Sequence, residues 1–337
     1  MSRRILQRWC VGLAAVWALA LGAARAEDVA AYYGDPIPPE VDAVYTRGMN
    51  WLARTLEKGE GGEARGYNES GPGVTGLMVL AILAHGEDPN SGPYARAVKK
   101  GIDAILAAQD AKTGYMGSSM YHHGFATLAL AEAYGTVNDP RIGPALKKAV
   151  NLILVSQKNN TRGGWRYSPE TDSADTTVSG AQVVALVAAR NAGVAVPDEA
   201  FKRALEYYKS CQDENGSVGY MSPGGGSGSI NAIATLVAAL TGQKDSKLFR
   251  GAWGTLLRGD DGRGGGYLFY FLYYSSQAYF RADMKLWREW NGRNFKNLQE
   301  SQGADGSWEG PNGVSFCTSA ALLSLALNYR LLPIYER

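Results

Sequence analysis

Two carboxylates three residues apart stand just ahead of an apolar run in Asp172-Ser173-Ala174-Asp175-Thr176-Thr177. A carboxyl group at the edge of an apolar enclosure can act as a general acid, because loss of solvent favours its protonated form. Asp175 has a second reading, since an aspartate immediately before a helix also caps its first turn. His122 and His123 are adjacent imidazoles that titrate near neutrality. One of the two should face inward as acid or base, unless it is a rim histidine held by hydrogen bonds. Tyr121, His122, Trp165, Tyr167, Tyr220, Tyr267, Tyr270, Tyr274 and Trp308 are the candidate ligand-binding residues. Ring faces take apolar chains, carbocations or sugar rings, and the same rings can equally serve as packing. Charged loop residues Arg258, Asp260, Asp261 and Arg263 complete the candidates.

These residues are carried by a repeat. A glycine or serine followed by an aromatic recurs as Gly66-Tyr67, Gly114-Tyr115, Gly164-Trp165, Gly219-Tyr220, Gly266-Tyr267 and Ser307-Trp308, with the aromatics 48, 50, 55, 47 and 41 residues apart. A near-constant period of this length marks a repeat architecture. Gln109, Gln157, Gln212 and Gln302 precede four of the copies. Before each phrase the chain reads as an amphipathic helix, as in residues 94–109, where apolar residues at helical spacing oppose Lys99, Lys100 and Asp103. After it comes an almost wholly apolar stretch such as 125–133, which must be enclosed on all sides. Six such pairs predict an all-α fold, an (α/α)6 toroid of helix-pair repeats with an inner and an outer ring. A closed ring needs no polar end repeats. The Gly-rich connections, among them 161–176, 215–229 and 303–313, then gather at one mouth with the N-termini of the inner helices, and function is expected there.

Residues 1–26 read as a signal peptide: Arg3, Arg4 and Arg8, an apolar stretch, then Ala24-Arg25-Ala26. Residues 27–337 are expected to form one toroid domain, exported to the periplasm or beyond. No stretch approaches the roughly 20 apolar residues of a spanning helix. A net charge of +2 in 337 residues gives no footprint for nucleic acid. Cys211 and Cys317 make no disulfide framework.

Gln157-Lys158-Asn159-Asn160-Thr161-Arg162-Gly163-Gly164-Trp165 and Gln302-Gly303-Ala304-Asp305-Gly306-Ser307-Trp308 resemble the QW-type repeats of the terpene cyclase and protein prenyltransferase superfamily. The segments 121–127 and 329–335 resemble its exported bacterial members, the prenyltransferase and squalene oxidase repeat proteins. This resemblance spans nearly all of the mature chain and implies an isoprenoid or other apolar ligand in a central cavity. In class II cyclases the middle aspartate of Asp-x-Asp-Asp-Thr-Ala donates the proton, and here Ala174 takes its place. The motif is thus degenerate, with Asp175 a substitute acid and Asp172 its neighbour. Zinc members use an Asp, a Cys and a His from later repeats, whereas His85, His122 and His123 all lie in the first half and no Asp-x-Cys pair exists. Neither metal nor cofactor is expected. Two alternatives stand beside the isoprenoid reading: a noncatalytic scaffold that binds a protein, and a carbohydrate-active toroid, in which hydrolysis needs two facing carboxylates.

Overall fold

A computed structural model describes residues 36–59, 71–259 and 267–336. The expected signal peptide, Gly66-Tyr67, Gly266, Asp260, Asp261 and Arg263 lie outside the described residues. Among those described there are twelve α-helices: α1 (Pro39–Lys58), α2 (Pro72–Leu83), α3 (Ala95–Ala107), α4 (Met120–Ala133), α5 (Ile142–Asn159), α6 (Thr176–Asn191), α7 (Asp198–Ser210), α8 (Gly228–Leu240), α9 (Lys247–Arg258), α10 (Leu268–Ala282), α11 (Met284–Ser301) and α12 (Val314–Leu325). Two 3-10 turns, Ala326–Asn328 and Pro333–Tyr335, follow. No strand forms among the described residues, only isolated bridges such as Gln109 with Met116 and Trp165 with Asp175.

The even-numbered helices pack in the order α2, α4, α6, α8, α10, α12 and back to α2, so the inner ring closes. Each odd-numbered helix lies outside its partner. The fold is the α/α toroid. Composition dictates which helix goes inside: every residue of α2 is buried, whereas α3 buries only Ala97, Val98, Gly101, Ile102 and Ile105 and turns its charges to water. Small residues let the inner helices approach closely. A Cβ on Gly76 would stand 2.9 Å from the Phe125 carbonyl oxygen of α4, and one on Gly180 would stand 2.2 Å from Ile233 of α8.

Repeat glutamines tie neighbouring outer helices together. The Gln157 amide donates to Gly163 O of its own loop and to Ala200 O of α7, both at 2.8 Å. Gln109 reaches Ala145 O at 3.0 Å and Gln212 reaches Leu248 O at 3.2 Å. Gln302 closes the seam between the last repeat and the first by donating to Val44 O of α1 at 3.0 Å.

Beneath each bridge a loop residue fills the gap, and an inner-helix side chain accepts its backbone N–H. The pairs are Met116 with His123 Nδ1, Trp165 with Ser179 Oγ, Val218 with Asn231 Oδ1 and Trp308 with Thr318 Oγ1. The repeated unit is therefore a buried position, not an aromatic. Tyr115 and Tyr220, which the sequence pattern aligns with the two tryptophans, lie one residue before and two residues after that position, and only partly buried.

The lumen below the mouth is crossed by side chains. α4 and α10 face each other across the ring, yet the Tyr121 ring meets that of Tyr270 at 6.4 Å and Phe125 meets Tyr273 at 6.1 Å. At the far end the turn Pro333–Tyr335 runs beneath the ring to α6, with Ile334 and Tyr335 3% and 4% exposed. Arg281 holds it through Ile334 O at 2.6 Å and Glu336 O at 2.7 Å, and Ile334 N donates to Glu132 Oε2 at 3.3 Å.

Candidate functional site

The mouth is stitched by its loops. Met120 N, which opens α4, donates to Tyr167 O at 2.9 Å, and Thr176 N, which opens α6, donates to Tyr220 O at 2.9 Å. Each loop thereby fixes the helix N-terminus of the preceding repeat and sets its own aromatic at the rim. The hydroxyls of Tyr167 and Tyr220 lie 2.8 Å apart, and Tyr121 OH donates to Thr177 Oγ1 at 2.5 Å. The Tyr121 ring stands 6.1 Å from that of Tyr167. Together these rings form a cup over the packed lumen, with Tyr270 and Tyr274 in T-shaped contact at 4.9 Å beneath.

Asp175 lies in the wall of this cup and is fully buried. Its Oδ1 caps α6, accepting from Thr177 N at 3.0 Å, Val178 N at 2.8 Å and Thr177 Oγ1 at 2.7 Å. Oδ2 makes no well-formed hydrogen bond, and neither does Arg166 Nε, 3.9 Å away. Burial raises the Asp175 pKa above the usual carboxylate range; the Val178 amide and the hydroxyls of Thr177 and Tyr220 pull it back only in part. The Arg166 guanidinium lies over the Tyr167 ring at 5.5 Å and donates to Ser173 Oγ at 3.3 Å. Cap and buried acid are thus one residue, using different oxygens.

Several expected site residues are placed elsewhere. His123 is fully enclosed: Nδ1 accepts from Met116 N at 3.2 Å, which leaves the proton on Nε2 to donate to Ala149 O at 3.0 Å. Burial pushes its pKa down to about 4, so it is a neutral structural acceptor and not an acid or base facing the mouth. Asp172 is exposed and accepts from Thr161 N at 2.6 Å and Thr161 Oγ1 at 2.8 Å, which lowers its pKa and commits it to its own loop. Trp165 and Trp308 are each 1% exposed and sit in the toroid wall, their indole N–H groups on Ile153 O at 2.9 Å and Leu298 O at 3.0 Å. Tyr274 is fully buried in the lumen. Packing has taken His123, Trp165, Trp308 and Tyr274 out of a ligand's reach. His122 is half-buried against Gly71 and Gly117, with burial lowering its pKa, and Tyr267 is 61% exposed at the rim. Arg166 was missed by the sequence reading as a partner of Asp175; its place beside Trp165 in the loop facing α6 was the available signal. Among the described residues no three His, Cys, Asp or Glu side chains are grouped to hold a metal ion, and no helix is long and apolar enough to cross a membrane.

A family profile described as a domain of unknown function, DUF6288, matches residues 42–267, about two thirds of the chain. The chain belongs to that family. No curated protein sequence matches it. Solved toroids resemble it at low identity. An inactive variant of the alpha-1,6-mannanase GH76A of Salegentibacter sp. HEL1_6, in complex with alpha-1,6-mannotriose, is 12% identical, with 84% of this chain and 99% of that one covered at a TM-score of 0.59. A family 76 glycoside hydrolase from a bovine Bacteroides thetaiotaomicron strain is 10% identical, covering 83% and 77% at 0.56. The type II terpene cyclase MstE from Scytonema is 16% identical, covering 88% and 100% at 0.52. These likenesses establish the toroid and leave its chemistry to the residues of the DUF6288 mouth.

Proposed function

We propose that this DUF6288 toroid binds a saccharide-class ligand in the cup formed by Tyr121, Tyr167, Tyr220 and Arg166, with the Asp175 carboxyl enclosed behind Arg166. One observation carries the reading: rings from opposite inner helices close the lumen, so the surface that the described residues present at the mouth is shallow, hydroxyl-rich and aromatic. Sugars present apolar ring faces that stack on tyrosines and hydroxyls that pair with phenol and guanidinium groups. With Asp172 committed to Thr161, Asp175 is the one buried carboxyl of the cup among the described residues. Hydrolysis by the usual route needs a second. Binding is what the cup supports. Export through residues 1–26 would put a 27–337 toroid domain in the periplasm or outside the cell, where free saccharides and cell-surface glycans occur.

Titration with alpha-1,6-mannotriose and a panel of other pyranose oligosaccharides, followed by intrinsic fluorescence, tests the proposal. Saturable binding is expected for at least one, weakened about tenfold or more by Tyr167→Ala, a loss of at least 1.4 kcal/mol. Asp175 is enclosed and meets no sugar itself; ionised, it faces Arg166 Nε at 3.9 Å and holds that guanidinium at the cup, and protonated it loses that attraction. Affinity should therefore fall as pH drops through the raised Asp175 pKa, at a higher pH than an ordinary aspartate would give. No binding across the panel would count against the saccharide reading.

The isoprenoid reading keeps one observation in its favour, a buried acid linked through Thr177 Oγ1 to the Tyr121 hydroxyl, near rings of the kind that stabilise a developing carbocation. It requires Phe125 and Tyr273 to part. Binding of geranylgeraniol in place of sugars, abolished by Phe125→Trp opposite Tyr273, would select it.

A further inference from the structure

The end of the lumen away from the cup is covered by a short segment, residues 331–336, and not by a helix of the ring. Its root is the pair Tyr329 and Arg330. Tyr329 OH donates to Asp42 Oδ1 at 3.0 Å, and His85 Nε2 meets the same oxygen at 3.2 Å. Arg330 takes a φ of +58°, the one positive φ of a non-glycine residue among those described. Such a conformation persists only where the surroundings impose it. The Arg330 guanidinium lies over the Phe280 and Trp287 rings at 5.4 and 6.0 Å, and beyond it Leu332, Ile334 and Tyr335 are buried.

Under the segment sits the Glu132 carboxyl, whose contact with it is the Ile334 amide. The charge acting on this carboxyl is that of Glu336, of the same sign, so burial and repulsion both oppose its ionisation in place. The elements packed on α4 bring no cation to it. α2 has no titratable side chain, Lys147, Lys148 and Lys158 of α5 are exposed, and Arg190 of α6 pairs with Asp198 at 3.2 Å. Tyr273 of α10 and Tyr335 of the segment are held neutral by burial, and Arg281 of α10 grips the carbonyls of Ile334 and Glu336.

We propose that residues 331–336 are a latch, closed while Glu132 is protonated and swung out about Arg330 when the carboxyl ionises. Displacing six residues brings water to the carboxylate and relaxes the Arg330 bend, whereas opening the ring itself would break helix packing. Closed, the carboxyl has its pKa raised to about 8; open, it is solvated and returns toward 4.5. The closed state thus holds a proton that the open state gives up, and closure weakens as pH rises through this window. The latch lies at the opposite end from the cup and does not depend on what binds there.

Hydrogen exchange of the whole mature chain between pH 6 and 9, read for residues 331–336 and corrected for the intrinsic pH dependence of exchange, is the test. The latch is expected to exchange at least tenfold faster than α6 and α8 at every pH. Its protection should fall about tenfold per pH unit up to about 8 and then level off. Glu132→Gln should flatten that profile. Arg281→Gln should lower protection at every pH without changing the slope, which separates a lost anchor from a lost charge response. A flat wild-type profile overturns the proposal, as does a slope that survives Glu132→Gln. Exchange of the latch at the rate of α6 and α8 overturns it too, because only global unfolding would then uncover Glu132.

Discussion

Glu132→Gln should leave melting temperature nearly unchanged at pH 4 and raise it markedly at pH 9. Glu132 is 3% exposed at the far end of the lumen, where Oε2 accepts from Ile334 N. Burial, reinforced by the nearby charge of Glu336, raises its pKa from 4.5 to about 8, against a smaller opposing effect of the Ile334 hydrogen bond. The folded state therefore keeps a proton that the unfolded chain releases. Between the two pKa values the unfolded state binds fewer protons, so unfolding free energy falls as pH rises through this window and levels off above about 8. At one pKa unit per 1.36 kcal/mol the loss is on the order of a few kcal/mol, large beside a typical stability of about 5–15. Glutamine keeps the carbonyl that accepts from Ile334 and removes the charge. Tyr273 and Tyr335, the titratable rings nearest the carboxyl, are themselves held neutral by burial. Thermal unfolding at several pH values measures the effect. Parallel profiles for wild type and variant would show that the carboxyl is solvated when ionised.

The architecture was legible because it rests on patterns that repeat. Six alternations of a one-faced and an all-round apolar helix admit few arrangements, and the glutamines at 109, 157, 212 and 302 mark the same joint in four places. The site was legible only in part. Asp175 could be recognised as a residue at a helix start, but not as one whose second oxygen is left buried beside Arg166, because that depends on a loop fold. His123 looked like chemistry for the same reason that Ser179, Asn231 and Thr318 did not: its side chain titrates. Position decides otherwise, since all four do one job, accepting a loop N–H. The aromatic of the phrase misled in a related way. At the sealed position volume and apolarity are what count, so Met116 and Val218 serve where Trp165 and Trp308 do, and Tyr220 is released to the rim.

Trp308→Ala should be the most damaging single change in the wall, at about 3–5 kcal/mol, the range for truncating a buried tryptophan. Trp308 is 1% exposed and wedged between the last repeat and the first: its indole donates to Leu298 O of α11, its backbone N–H is taken by Thr318 of α12, and its ring edge would lie 3.0 Å from a Cβ on Gly48 of α1. Truncation leaves a cavity at that three-helix joint and takes from the Leu298 carbonyl its 3.0 Å donor, leaving the Ser301 hydroxyl at 3.4 Å. The place matters as much as the size. Contacts elsewhere in the ring join repeats that the chain already connects, whereas this joint, with Gln302 on Val44 O, brings together segments more than 250 residues apart. Opening it turns a closed ring into an open array whose end helices bury one face fewer. Hydrogen exchange should consequently quicken in α1 and α12 before it does in α6 or α8. Tyr267→Ala, at a rim position 61% exposed, is the matched control and should stay within about 0.5 kcal/mol. Uniform loss of protection in the Trp308 variant would mean that the toroid unfolds as one unit and the seam has no separate stability.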